Sequence, residues 1–115
     1  MIEMARTDMS RYLPLTEATY YILLALVEPL HGYAVMQKVG VMSCGTVSIG
    51  PGTLYGAITK LEKEGLVRLT KEEDRRKSYG LTDKGRELLA EQIRRVEIMS
   101  NNGQAVLPHL KRRTS

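Results

Sequence analysis

The densest run of apolar positions in the chain extends from Tyr20 to Val27. Thr16 stands before it as a residue able to cap a helix, Glu17 suits the positive end of a helix dipole, and Pro29 closes the segment, so a first helix is predicted here. The run falls far short of the roughly 20 residues that cross a membrane, so it reads as core. Residues 1–13 show no sustained period and predict a mobile arm carrying Arg6 and Arg11, a kind of segment that is more often solvated tail than functional. After His31-Gly32-Tyr33, the spacing of Tyr33, Met36, Val39 and Val41 predicts a second amphipathic helix that frays near Ser43 to Gly45.

Gly50-Pro51-Gly52-Thr53 opens a third helix, because proline is tolerated in a first turn whose N–H has no helical partner. Its buried stripe is Leu54, Ile58 and Leu61, its C-cap is Gly65, and its opposite face carries Thr59, Lys60 and Lys63. The period then changes from helical to alternating. Leu66 to Thr70 reads as one strand and Lys77 to Leu81 as its return, with a charged turn between them. Thr82 caps a last helix striped by Leu88, Leu89, Ile93, Val96 and Met99, which is expected to end around Asn101-Asn102-Gly103. The remainder, 104–115, is a basic tail expected as a short helix or disordered.

The pattern therefore predicts a mainly α fold with a small β-hairpin, a winged helix-turn-helix over 14–82. A further C-terminal helix is predicted over 83–103. The chain has 115 residues, enough for one core, and lacks both Trp and Phe. Seventeen Lys and Arg against thirteen Asp and Glu give a charge of +4, and the pI is near 9.3, a balance that favours a polyanionic partner such as double-stranded DNA. A lone Cys44 cannot form an intramolecular disulfide and is expected to be a small buried thiol; with no secretory signal apparent, the cytoplasm is the expected compartment. Two isolated His and one Cys lack metal-site spacing, and no nucleophile, base or phosphate loop is arranged for catalysis. Neither a metal, a cofactor nor an enzymatic activity is expected.

A helix enters the major groove when one face is anchored in the core and the other offers small or polar groups. The third helix meets that condition, with glycines permitting close approach and Thr53, Tyr55, Thr59, Lys60 and Lys63 supplying hydrogen bonds and charge. Its bland alternative is a tight turn followed by solvated lysines. Arg75, Arg76 and Lys77 at the hairpin shift the balance towards DNA, since they can reach neighbouring phosphates. Glu72, Glu73 and Asp74 would repel phosphate, and imply a wing that is short or turned partly away. The same acids motivate an alternative function, a winged-helix module that binds a regulatory protein.

Four strings, L-T-E-A-T-Y-Y-I-L-L-A-L from Leu15, H-G-Y from His31, G-P-G-T-L-Y-G-A-I-T-K-L-E-K-E-G-L-V from Gly50, and R-R-K-S-Y-G-L-T-D-K-G from Arg75, stand in this order. Together they resemble the PadR family of transcriptional regulators. The resemblance implies a winged helix-turn-helix with its recognition helix from Pro51 to Glu64, and Thr53, Tyr55 and Lys60 facing DNA. It also implies homodimerisation through the C-terminal helix, here through Leu89, Ile93, Val96 and Met99, and repression at a roughly palindromic operator. Gly50 stands where many members have a capping Ser, and Gly80 where a larger residue is frequent. The length resembles the short subfamily, some of whose members bind aromatic molecules in a dimer pore lined by a Trp that is absent here. Tyr20 and Tyr21 read as core or interface residues, and an interface containing Tyr20, Met36 and Met99 would be adaptable; any effector is unidentified.

Overall fold

A computed structural model describes residues 8–111. A 3-10 helix at Asp8–Tyr12 precedes helix α1 (Glu17–Ala25), strand β1 (Leu30–His31), α2 (Gly32–Met42), α3 (Pro51–Lys63), strands β2 (Val67–Glu73) and β3 (Arg76–Leu81), and the long α4 (Asp83–Lys111). The three strands form an antiparallel sheet in the order β1-β3-β2. This is the winged-helix arrangement with a C-terminal helix added. Among the described residues, no helix is long and apolar enough to cross a membrane.

Local chemistry sets most element ends. Thr16 caps α1 by accepting the Thr19 N–H at 3.1 Å. The end of α3 is a Schellman turn: Gly65, at φ +77°, donates to the Glu62 carbonyl at 3.0 Å, and Leu66 donates to the Leu61 carbonyl at 2.9 Å. Thr82 then starts α4, its hydroxyl accepting the Gly85 N–H at 3.0 Å and donating to the Gly65 carbonyl at 2.7 Å. The end of α3 and the start of α4 are thereby fastened to each other. Between α2 and α3, the buried Ser43 hydroxyl accepts the Val47 N–H at 3.0 Å and stabilises a loop that buries Val47 and Ile49.

The core gathers Ile22, Leu23 and Leu26 from the first helical segment, Val35 and Val39 from α2, Leu54, Ile58 and Leu61 from α3, and Leu88 and Leu89 from α4. Leu66, Val67, Tyr79 and Leu81 close it from the sheet side. The α3 stripe matches its periodicity. The α2 stripe does not: Val35 and Val39 point inward, Met36 is half-buried, and Tyr33 and Val41 are exposed. Apolar character alone misassigned Tyr33, whose hydroxyl is at the surface and accepts from Gln37 Nε2 at 3.3 Å.

Other expectations are also corrected. The arm is not free from Met9 onward, because Met9 is buried and the 3-10 helix packs on the body; Arg6 lies outside the described residues. His31, which opens the H-G-Y string, is a strand residue paired with Ser78 and the N-cap of α2. The hairpin is longer than its apolar alternation: the strands run through the charged residues and leave only Asp74 and Arg75 as a turn, with Glu73 opposite Arg76. Cross-strand pairing of opposite charges supports that extension. Cys44 is exposed, and takes φ 54° at the end of α2.

The last helix continues through Asn101-Asn102-Gly103 to Lys111, so the boundary expected at 103 and a separate tail from 104 are not found. Gly103 does not take the left-handed conformation that ends a helix. The propensity cost of the three residues is roughly 2 kcal/mol, a weak point and not a stop, and the helix carries a second one at Pro108 near its end. Arg112 and Arg113 lie outside the described residues.

Candidate nucleic-acid interface

The outward face of α3 follows from its anchored stripe. With 100° between successive residues, Gly52, Gly56, Thr59 and Lys63 lie opposite Leu54, Ile58 and Leu61. Thr53 and Lys60 fall on one flank of that arc, and Tyr55 and Glu62 on the other. Thr53, Thr59, Lys60 and Lys63 are all exposed, and Tyr55 is 45% exposed. Gly50 is the N-cap, extended at φ −87°, and offers no side-chain hydrogen bond to the first turn. The Gly52 and Thr53 N–H groups are therefore left without a cap from that residue, at the positive end of the helix.

The wing meets α3 on the Tyr55 flank. Tyr55 and Tyr79, together with Arg75, Arg76 and Lys77, line a cleft of about 360 Å³ that His31, Gly32 and Tyr33 at the start of α2 also line. The structure thus brings the three wing cations together with Tyr55, and places Lys60 on the far side of the helix. Glu73 is offset by Lys71, whose Nζ is 3.4 Å from its carboxylate. Tyr79 is 7% exposed; burial first, then electrostatic interaction with Glu62, Tyr55 and Glu72, pushes its hydroxyl pKa up. It stays protonated as part of the cleft wall. Gly80 follows it where a Cβ would press on Thr70 at 3.2 Å and Pro29 at 3.5 Å, which accounts for a residue without a side chain there.

Sequence reasoning missed Tyr33, which it placed in the core although the helix start H-G-Y puts it beside the wing. It also missed Gln92, which is buried and accepts the Leu15 N–H at 3.2 Å. The dimerisation set is divided. Leu89 packs inside its own chain at 4% exposure, whereas Ile93 and Met99 are exposed at 44% and 57%, and Val96 is half-buried. Val96 and Met99 join Leu15, Tyr20, Tyr21 and Gln92 around a groove of about 320 Å³ between α1 and α4. Farther along α4, Ile98, Val106, Leu107 and Leu110 are exposed. Among the described residues, no group of three or more His, Cys, Asp or Glu is placed to hold a metal ion.

Comparison with known proteins agrees with this geometry. The model of the transcriptional regulator PadR-like family matches residues 22–91. An uncharacterized 37.1 kDa protein in transposon TN4556 of Streptomyces fradiae is 43% identical over 74 residues, 64% of this chain and 21% of that protein. The transcriptional regulator YqjI of Escherichia coli is 27% identical over 75 residues, 65% of this chain and 36% of its own length. The chain therefore spans well under half the length of these curated relatives. A transcriptional regulator from Clostridium thermocellum shares the fold, with a TM-score of 0.66 at 22% identity over 87% of this chain and 94% of that one.

Proposed function

We propose that this chain, which belongs to the PadR-like family of transcriptional regulators and not to a family of enzymes, binds operator DNA as a homodimer and represses transcription. The observation that carries this reading is the split character of α3. Leu54, Ile58 and Leu61 are buried beneath it, while glycine, threonine and lysine face outward beside a cationic hairpin. Such a helix enters the major groove, its glycines allow close approach, and its uncapped first turn accepts a phosphate oxygen. Thr53, Tyr55 and Thr59 supply hydrogen bonds, and Lys60, Lys63, Arg75, Arg76 and Lys77 supply charge.

The exposed apolar face of α4 supports the dimer. Ile93, Met99, Val106 and Leu110 recur along a helix that projects beyond its own core, and a second copy would remove them from water. Two copies related by a twofold axis present their α3 helices to major grooves about 34 Å apart, so the operator is expected to show dyad symmetry. Ligand responsiveness is assigned to the groove of Tyr20, Tyr21, Val96 and Met99, since methionine-containing surfaces adapt to different apolar groups.

Fluorescence anisotropy with a duplex from the promoter upstream of the chain's own gene, titrated at increasing salt, tests the reading. Tight binding at low salt that weakens linearly in logarithmic coordinates is expected. No binding at the lowest salt would overturn it, and capture of a stoichiometric protein with sequence-indifferent DNA binding would favour a protein-interaction module instead.

A further inference from the structure

The wing covers only one flank of α3. On the other flank Lys60, Ala57 and Glu64 face the 3-10 helix across a cleft of about 230 Å³, whose opposite wall is Arg11, Tyr12 and Thr19. We propose that Arg11 is a DNA phosphate contact on this second flank, held against Glu64 in the free protein and transferred to the backbone of the duplex on binding. The inference rests on the DNA-binding reading above, and adds to it a contact that neither the recognition helix nor the wing provides.

The segment that carries Arg11 is pre-organised. Met9 is buried, and the Tyr12 hydroxyl accepts from Lys84 Nζ at 2.8 Å. The same ammonium donates to the Glu64 carbonyl at 3.2 Å and lies 4.9 Å from the centre of the Tyr12 ring. One lysine therefore ties the 3-10 helix to the end of α3. The Arg11 guanidinium rests 5.1 Å from the other partner it shares with Lys84, the Tyr12 ring.

The arginine itself is only loosely held. Its Nη2 is 3.8 Å from Glu64 Oε1, with 67% of the arginine side chain exposed, and a long, solvated pair of this kind contributes little. A phosphate offers a guanidinium two parallel charge-assisted bonds, a better match than the single distant carboxylate oxygen. The major groove is about 12 Å wide and is walled by two backbones. A duplex seated on α3 with one backbone at the wing presents the other to the side where Lys60 and Arg11 stand.

Anisotropy titrations of the full chain on its operator duplex and on an unrelated duplex, each across a salt series, test this. Arg11→Ala is expected to weaken binding about tenfold at low salt on both duplexes. It should also reduce the salt slope by about 1 per protomer, the signature of one lost phosphate contact. Glu64→Gln is expected to tighten binding several-fold, and by less once Arg11 is replaced, where only the repulsion between its carboxylate and phosphate is removed. Arg11→Gln, which keeps a polar side chain but removes the charge, should behave as the alanine variant does. An unchanged slope in both arginine variants, on a duplex that the unaltered protein binds, overturns this inference and leaves the operator reading standing. Failure of the unaltered protein to bind either duplex overturns the operator reading itself.

Discussion

The hydroxyl of Tyr55 fills the space that a side chain on Gly32 would need: a Cβ built on Gly32 would overlap the phenol oxygen and the ring carbon bearing it. The start of α2 and the wing-side flank of α3 are thus fitted to each other, and the H-G-Y and G-P-G-T-L-Y strings are halves of one contact. Gly32→Ala is expected to drive Tyr55 out of its position, at a stability cost of about 1 kcal/mol because a flexible side chain can move. DNA affinity should fall more than stability does. Chemical denaturation of Gly32→Ala, Tyr55→Ala and the double variant checks this, since the alanine at 55 should remove most of the cost of the alanine at 32.

Gly85 is a harder case. A Cβ there would collide with the backbone carbonyl of Leu66, which is held by the Schellman turn and by the Thr82 N–H at 3.1 Å. Gly85→Ala is expected to cost about 3 kcal/mol, and the loss should be read as a lowered thermal midpoint with no compensating variant at a neighbouring side chain. A midpoint within a degree or two of the unaltered protein would contradict the close approach.

The wing stores backbone strain at its tip. Asp74 and Arg75 take φ values of 50° and 67°, a mirror-image turn that favours glycine and asparagine. Arg75→Gly is expected to raise stability by about 1 kcal/mol while weakening DNA binding. Lys60→Ala should weaken binding more than Arg75→Ala, because acids beside the turn already offset part of the wing's charge. Parallel melting and anisotropy measurements separate the two effects, and equal affinity losses would refute the ranking.

Two tyrosines set a limit at high pH. Burial raises the hydroxyl pKa of Tyr79, with added contributions from Glu62, Tyr55 and Glu72, and burial followed by Tyr21 raises that of Tyr20. In the unfolded chain tyrosine ionises near pH 10, so above that value the unfolded state releases protons that the folded state retains. The associated stability is present in full below about pH 10 and is lost as pH rises through the folded values. Urea midpoints measured between about pH 9 and about pH 11 should fall, and fall less in Tyr79→Phe; identical profiles would refute the assignment.

Met99 is exposed on α4 at the mouth of the groove beside α1, and Met99→Glu would place a carboxylate in the proposed interface between copies. The dimer dissociation constant is expected to rise about 100-fold, equivalent to about 2.7 kcal/mol, while the helical content of the monomer is kept. Sedimentation equilibrium reads the result, and an unaltered constant would move the interface elsewhere on the helix.

What could be read from the chain alone were features decided within a few residues. Thr16 and Thr82 cap helices, Gly65 reverses the backbone, and the spacing of Leu54, Ile58 and Leu61 turns one face of α3 inward. Such signals act through neighbouring backbone groups, so they survive without knowledge of the rest of the molecule. By contrast, the outward turn of Tyr33, the extension of α4 past Asn-Asn-Gly and the length of the wing depended on what each segment meets in space. Tertiary structure alone placed Tyr55 against Gly32, Leu66 against Gly85 and Arg11 beside Glu64. These contacts join residues 19 to 53 positions apart, and no local propensity reports which distant surface will fill the space beside a glycine or face a charge.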